Sequence, residues 1–561
     1  MKKSAGRRAY GAAAAFVFLC ALTPTAAQQS GAAADTVVLP EVTTVISGGA
    51  LSADPGSVPD FSAALPADAA QTGVFPVLPA AAVSVPEADS GSGSVSGSDA
   101  ERDVYMEGFV GFGMPAFFTG DFSVYRADSE HPFEIRFMHE SMDGYAFKSP
   151  GDGFSDTATL LSSSKTFSAG SAVWTAAGSY RLTSAGLQGQ SDLFSDITRQ
   201  TALASVEVGV PFAKGFRFDS SVHAEWFNRY GGSAGSAGQS AEKTAASFVS
   251  ARPEIAARWE GDSIRAAVSG NWDFALYAGS GVRPVNRGEL TLSGIWAGPS
   301  LSVWANAGVV GIPGGSGADG TSLVAPFSAG VSAEFGVPFS ELPASVRVHG
   351  GLDSRAIDFT GLEAVAPFTC FAPELLSLNR EQTDWFASAA ASVPAGSVFL
   401  LEGSAEFRKT AFGNGMIESR YDSPRYLNSG LFSAAAADRT ALATVLNVSA
   451  GTGPVLISAA WNAEWLDVPA GTDAHAIEAA AGYTSGSGAW TAHVSVSEAL
   501  SAGADFVPDV GIRASYQVTD AVRLVFKVTD AVKLCTGKTR VYEAPFVSRS
   551  GTASFAVRFF F

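Results

Sequence analysis

The chain has 561 residues, of which 47% are hydrophobic and only 16% charged, and its net charge is −18. This acidic balance argues against nucleic acid and anionic lipid surfaces as partners held by charge. Glycine is abundant, with 60 residues, and the apolar residues alternate with polar ones instead of forming long runs. Such a composition is typical of a transmembrane β-barrel, whose strands face lipid on one side and water on the other.

The N-terminus predicts a signal peptide, residues 1–27. Its positively charged start contains Lys2, Lys3, Arg7 and Arg8. Residues 12–22 are apolar, and small residues at 25–27 predict cleavage before Gln28. Lipoprotein processing at Cys20 is a weaker alternative, because a leucine precedes it where a small residue is expected. No second run of eighteen or more apolar residues follows, so the mature chain is either periplasmic or a barrel in the outer membrane of a diderm bacterium.

Residues 28–102 predict a low-complexity periplasmic segment. Ala, Pro, Ser and Gly dominate it, and it ends in a Gly/Ser-rich linker at 90–98. Two short apolar stretches, 58–61 and 74–78, are long enough to dock on another surface but too short to form a core. We therefore expect this segment to be mostly disordered on its own.

Residues 103–561 alternate almost throughout, which predicts an all-β fold, a transmembrane antiparallel β-barrel. In residues 215–229, for example, Phe218 and Val222 share one face while Ser221 shares the other with charged residues. A soluble β-sandwich would also alternate, but it would not need so many long strands with aromatic residues near their ends. The polar residues that we assign to the lumen are Arg217, Asp219, His223, Glu225, Arg265, Asp273, Glu402, Glu406, Arg408 and Glu464.

Splitting this region at its turn signals gives about 22 strands, one of them over 323–338. From the fourth strand on, each even-to-odd connection is a tight turn, such as Ala213-Lys214 and Gly453. Nearly every odd-to-even connection is longer, such as 359–383 and 412–439. If both termini are periplasmic, the tight turns are periplasmic and the long connections extracellular, as in outer-membrane barrels.

Two cysteines remain after signal removal. Cys370 lies in a long connection, and Cys535 ends a strand predicted over 521–535, so both are expected on the oxidising extracellular side. They are a candidate disulfide that would tether a loop across the mouth, contributing about 4–5 kcal/mol if unstrained. The alternative is two unrelated thiols, because the sequence does not give the distance between their Cα atoms.

The last strand places Phe555, Val557, Phe559 and Phe561 on one face. Alternation that closes on an aromatic residue resembles the C-terminal signature by which outer-membrane proteins are recognised for barrel assembly. The barrel-assembly machinery, acting on the strand that ends at Phe561, and outer-membrane lipid are therefore expected partners.

Residues 35–38, near the mature N-terminus, read Asp-Thr-Val-Val, and this stretch resembles the TonB box of TonB-dependent outer-membrane receptors. In that family the box adds as a strand to the sheet of the energy transducer. Plugged outer-membrane transporters have 22 strands, which agrees with the number of strands predicted for this chain. The resemblance implies a TonB-type energy transducer as partner and import of a bulky nutrient, such as a metal chelate or a glycan. The box-like residues, within the stretch 35–46, are Asp35, Thr36, Val37, Val38, Leu39, Glu41 and Val42.

Two departures from the family pattern concern this segment. Pro40 removes one hydrogen-bond donor from an added strand. The family also has a globular plug of well over a hundred residues between box and barrel, whereas only residues 47–102 stand there in this chain. The alternative interpretation of residues 35–46 is an ordinary short apolar stretch in a tail.

The sequence contains no motif for catalysis, a cofactor or a metal site. None of the histidines has metal-ligand spacing, and the Gly-rich stretches 231–240 and 311–320 lack a phosphate-binding lysine. Glu402 and Glu406 share a strand face, which we interpret as lumen lining and not as an acid/base pair. We expect no enzyme and no cofactor. Alternatives to nutrient import are a passive porin-like channel partly occluded by residues 47–102, and a surface adhesin or structural barrel.

Overall fold

The structure of the protein is a computed structural model. It describes residues 104–126, 132–190, 194–233, 246–278, 285–313, 321–338, 340, 342–356, 381–396, 398–411, 439–467, 474–500, 507–537, 541–543, 546–547 and 551–561. The predicted signal peptide, the TonB-box-like stretch and residues 47–102 lie outside these ranges.

The described residues are almost entirely β-strands. They are β1 Tyr105–Met114, β2 Phe117–Arg126, β3 Phe133–Asp143, β4 Ser155–Ala169, β5 Ala172–Gly186, β6 Phe194–Ala213, β7 Phe216–Ser233, β8 Ala246–Glu260, β9 Ile264–Ala278, β10 Val285–Ala297, β11 Leu301–Pro313, β12 Thr321–Val324, β13 Phe327–Phe335, β14 Ala344–Ala356, β15 Glu381–Ala395, β16 Phe399–Ala411, β17 Arg439–Thr452, β18 Val455–Leu466, β19 His475–Thr484, β20 Trp490–Leu500, β21 Asp509–Thr519, β22 Val522–Thr529, β23 Val541–Glu543, β24 Phe546–Val547 and β25 Thr552–Phe560.

These strands close into a barrel. Each strand of the main sheet pairs antiparallel with its neighbours, and the first strand, β1, pairs with the last, β25. The closure extends to the C-terminus, because the backbone N–H of Phe561 donates to the carbonyl oxygen of Met106 at 2.8 Å. A closed barrel leaves no unpaired strand edge, which is the requirement for a sheet that spans a bilayer.

The barrel has 22 strands, as the sequence predicted. β12 and β13 both pair with β11 and are two parts of one strand. The sequence predicted a continuous strand over 323–338, and this detail was wrong. Pro326 stands between the two parts and has no N–H to donate to a ladder, so the pairing is interrupted there. Its carbonyl oxygen still accepts a hydrogen bond from the N–H of Gly308, at 2.8 Å.

The tight connections named from the sequence lie within one residue of their predicted positions. β6 and β7 are joined at Lys214-Gly215, and β17 and β18 at Gly453-Pro454. Gly215 has φ 75° and Gly453 φ 54°, a left-handed conformation that glycine adopts without a Cβ penalty. The connections longer than about eight residues, such as 357–380 and 412–438, all join strands at the opposite end of the barrel. We call that end the long-connection end.

The end of β22 differs from the prediction. The strand stops at Thr529, and a short helix, α1, follows over Ala531–Thr536. The Asp530 side chain caps this helix by accepting a hydrogen bond from the N–H of Lys533 at 3.0 Å, and Gly537 ends it at φ 68°. An N-cap carboxylate and a C-terminal glycine favour a helical turn over a continued strand. No helix within the described ranges is long and apolar enough to cross a membrane.

The helix also changes the position of Cys535, which lies in α1 and not at a strand end. Its thiol is exposed and free. Cys370 itself lies outside the described residues. The predicted strand over 521–535 was wrong, because it continued through Ala531–Leu534, past the capping signal at Asp530. The described residues do not test the bridge.

Candidate functional site

The exposed face of the barrel is apolar. On β7, Val222 is 48% exposed, and on β10 both Leu290 and Leu292 are 57% exposed. In a water-soluble protein, a continuous exposed surface of large apolar side chains would favour aggregation. On a closed barrel the same surface suits contact with lipid.

The opposite face of the same strands, which we call the polar face, holds charged residues in ion pairs between neighbouring strands. Arg136 on β3 contacts Asp121 on β2 at 2.6 Å, and Arg258 on β8 contacts Asp219 on β7 at 3.1 Å. Neighbouring strands therefore supply both partners of a pair. This arrangement neutralises many of the charges on the polar face.

All ten residues that the sequence assigned to the lumen lie on described strands. The alternation of each strand places them opposite the exposed apolar residues, on the polar face. They do not form one cluster, because β7, β9, β16 and β18 distribute them around the barrel. The residues are Arg217, Asp219, His223 and Glu225 on β7, Arg265 and Asp273 on β9, Glu402, Glu406 and Arg408 on β16, and Glu464 on β18.

Several of the ten contact residues that were not singled out from the sequence. Glu464 forms an ion pair with Arg439 on the neighbouring strand β17. Glu402 accepts a hydrogen bond from the side-chain amide of Asn447, at 3.0 Å. Asp273 contacts Arg252 at 3.2 Å. Each partner comes from the adjacent strand, so it could be found only once the register was known.

The most deeply buried carboxylate on the polar face is that of Asp384, whose side chain has no exposed surface. Its Oδ2 atom accepts hydrogen bonds from Nε of Arg355 at 3.0 Å and from Nη1 of Arg408 at 3.1 Å. Arg408 also donates two hydrogen bonds to Glu406, at 2.7 and 2.9 Å. Asp384 was not identified from the sequence. The sequence signal that could have identified it is the alternation along β15, which places Asp384 on the same face as Phe386 and Ser388.

Arg287 links strands that are not neighbours. Its guanidinium contacts Glu289 at 2.8 Å and Asp273 at 3.4 Å, and it donates to the carbonyl oxygen of Ser354 at 3.3 Å. Arg287 lies on β10 and Ser354 on β14, so this bond passes over β11 and the interrupted strand of β12 and β13. This hydrogen bond therefore connects β10 to β14 across the interrupted strand.

Aromatic rings and guanidinium groups form a continuous row on the polar face. The Trp304 ring lies 6.3 Å from the His349 ring, which lies 5.4 Å from the Phe386 ring, measured between centroids. The Arg347 guanidinium lies 5.7 Å from the Trp304 centroid, and that of Arg408 lies 5.6 Å from the Phe386 centroid. We call these five residues the aromatic strip. It was not found from the sequence, because its members lie on β11, β14, β15 and β16.

Three connections pack together at the long-connection end. The Gln188 side-chain amide donates to the Tyr145 hydroxyl and to the Val547 carbonyl oxygen, both at 2.9 Å. Its carbonyl oxygen accepts from the N–H of Val547, also at 2.9 Å. Tyr145 is fully buried and packs with Met142 and Phe154. These contacts hold the three connections together as a packed set of loops.

Lys533 on α1 is buried, with 2% of its surface exposed. Burial lowers the pKa of its ammonium to about 8, and the nearby carboxylates of Asp530 and Asp509 oppose this shift. α1 lies in the connection between β22 and β25, outside the barrel strands. This lysine is therefore a titratable group in the packed loops.

Within the described ranges, no three His, Cys, Asp or Glu side chains are grouped as a metal site. The polar face instead offers fixed ion pairs, hydrogen-bonding groups and stacked rings. Such groups can bind polar or planar solutes.

No protein-family model and no curated protein sequence matches the chain. Solved structures do match. The FrpB iron transporter from Neisseria meningitidis, F5-1 variant in its apoprotein form, is 8% identical over 82% of this chain and 81% of that one, with a TM-score of 0.62. The siderophore receptor PirA from Pseudomonas aeruginosa is 9% identical over 82% and 80%, with a TM-score of 0.57.

A third similar structure is the copper transporter OprC, 11% identical over 82% of this chain and 80% of that one, with a TM-score of 0.57. Identities this low establish the fold alone. The expected resemblance to TonB-dependent receptors is confirmed for the barrel. The chain is a 22-stranded β-barrel of the fold found in these transporters and this receptor.

Proposed function

We propose that the protein is a TonB-dependent receptor-like barrel in the outer membrane of a diderm bacterium, and that it imports a bulky nutrient. The observation that carries the proposal is the closed 22-stranded barrel with an exposed apolar face. A barrel of this size is the one that plugged outer-membrane transporters use. Because the similar structures include an iron transporter, a copper transporter and a siderophore receptor, a metal chelate is the favoured cargo class.

The polar face lines the lumen in this proposal. Ion pairs between neighbouring strands, such as Arg258 with Asp219, keep charged side chains stable against the wall while leaving the interior wet. The long-connection end is extracellular, since outer-membrane barrels keep their periplasmic turns short. The packed loops at Tyr145 and Gln188 then belong to the outer mouth, where a nutrient arrives.

Energy coupling is assigned to the box-like stretch 35–46, which stands ahead of the barrel in the sequence. Its Val and Thr residues suit an extended strand added to a partner sheet. Export by the signal peptide, residues 1–27, and assembly through the strand that ends at Phe561 complete the proposal.

The test is binding of the energy transducer to the full-length protein. Val38→Pro should abolish capture of the periplasmic domain of a TonB-type protein, because proline cannot donate to the added strand. Val83→Pro, outside the box, is the matched control and should bind like the unchanged protein. Equal capture by both variants would remove the proposed coupling.

A second candidate is a passive channel, and the short segment 47–102 favours it, since it is well below the size of the family's plug. Single-channel conductance in planar bilayers separates the two. If residues 47–102 occlude the lumen, their deletion should raise conductance several-fold in an otherwise intact barrel. A barrel that is already open before the deletion, and takes up nutrient without the box, would be the passive channel.

A further inference from the structure

We propose that the aromatic strip is the docking surface for the proline-containing stretch 74–79 of the same chain. The strip consists of Trp304, His349 and Phe386, with Arg347 and Arg408 at its ends. The inference goes beyond nutrient import, because it assigns an internal ligand to one side of the polar face. It does not depend on coupling to a TonB-type protein.

Neighbouring residues hold the rings of the strip in place. Trp304, Gly330 and His349 lie directly opposite one another on β11, β13 and β14. A Cβ at Gly330 would come within 2.3 Å of the Trp304 ring and 2.6 Å of the His349 Cβ, so glycine is needed for the two rings to approach. The Ser388 hydroxyl is hydrogen-bonded to Nδ1 of His349 at 2.6 Å, which fixes the imidazole plane. Rotation of the central ring is thereby restricted.

The strip lies on the polar side of its strands and not on the lipid side. Trp304 alternates with Val303, which is 43% exposed on the apolar face, and Phe386 alternates with Trp385, which is 52% exposed there. The inference rests here on the proposed function, in which the polar face lines the lumen. Large rings on that face do not contact lipid and are available to an apolar partner.

Charge at the strip also points to an acidic partner. Arg347 is exposed, and its guanidinium lies over the Trp304 ring. Among the described residues, no carboxylate is paired with it. At the other end, Arg408 is paired with Glu406 and Asp384. One guanidinium, that of Arg347, is therefore left to attract a negatively charged ligand.

The stretch 74–79 reads Val-Phe-Pro-Val-Leu-Pro, with Pro76 and Pro79 three residues apart. A polyproline II helix has 3 residues per turn, so two prolines at this spacing would share one face in that conformation. Proline pairs with this spacing dock on aromatic-lined grooves. The surrounding segment 47–102 is acidic, with a single basic residue, Arg102, against Asp54, Asp60, Asp68, Glu87, Asp89, Asp99 and Glu101.

The chain is long enough for this docking. Twenty-five positions separate Pro79 from Val104, where the described barrel region begins. Such a stretch spans up to about 80 Å when fully extended. A barrel of 22 strands about 4.8 Å apart and tilted by about 40° is roughly 45 Å across, so the stretch can reach the far wall from β1.

The test is site-specific photocrosslinking in the full-length, membrane-inserted protein. A benzophenone amino acid at Val77 should crosslink to β11, β14 or β15, as mapped by mass spectrometry. Trp304→Ala combined with Phe386→Ala should lower the yield about tenfold, the change expected for loss of two aromatic contacts. Trp296→Ala combined with Trp385→Ala, on the apolar face, is the matched control and should leave the yield unchanged.

Pro76→Ala combined with Pro79→Ala leaves the barrel sequence intact and should also lower the yield, which guards against misfolding of the barrel variant. Crosslinks to other strands, to another protein, or none at all would overturn the proposal. The Val38→Pro variant should crosslink like the unchanged protein. A failure of energy coupling is thus distinguished from a failure of docking.

Discussion

Neighbouring residues on β7 give the sharpest test of which face meets lipid. Val222 is 48% exposed on the apolar face, in the middle part of the strand. Its partners on the adjacent strands are Val206 and Pro253, which offer no charge to an introduced arginine. Ser221 precedes it on the polar face and lies between Glu207 and Glu254, which would both attract one.

Val222→Arg should therefore destabilise the barrel by about 2–4 kcal/mol, the cost of an arginine facing lipid near mid-bilayer. That range corresponds to a change of about 30- to 900-fold in the folding equilibrium constant. Ser221→Arg should stay within about 0.5 kcal/mol of the unchanged protein, because its charge remains in water beside two carboxylates.

The measurement is the free energy of unfolding of the barrel folded in lipid vesicles, from guanidinium titration followed by tryptophan fluorescence. Both variants add the same side chain, and the different strand propensities of the valine and serine that they replace account for at most about 1 kcal/mol. Equal costs at the two positions, or a larger cost at Ser221, would mean that the assignment of the faces is reversed.

Further predictions concern single groups. Asp384→Ala should lower the unfolding free energy by about 3–5 kcal/mol, because it leaves two arginines without their buried carboxylate. Glu406→Ala should lower it by less than about 1 kcal/mol, because that side chain is 37% exposed. The folded-state pKa of Lys533, about 8, is below the ordinary value of 10.5, so the unfolded connection binds the proton more strongly. The stability of the packed loops should therefore rise as the pH increases from about 8 to 10.5. Hydrogen exchange of α1 should slow over that window after correction for intrinsic rates, and Lys533→Met should remove the effect. Cys535 should react with an impermeant maleimide on intact cells without reductant. Labelling only after reduction would show instead that Cys535 is in a disulfide.

Much of the fold could be predicted from the sequence because the deciding patterns are local. The alternation of Phe218, Ser221 and Val222 has the period of a strand wherever the strand lies. Turn signals recur along the chain, and splitting the sequence at them predicted the number of strands. The errors at Pro326 and Asp530 were local too, since a missing N–H and a helix cap are visible in the sequence.

The contacts of the polar face could not be predicted in this way. Arg287 and Ser354 are separated by 67 residues, and Arg408 meets Asp384 across 24. Which residues meet depends on the register of each strand pair, and the registers add up around the barrel until β25 closes on β1. A one-residue slip in any pair would exchange the two faces of a strand. The sequence therefore determined which residues are polar and how often they recur, whereas only the closed barrel decided which of them become neighbours.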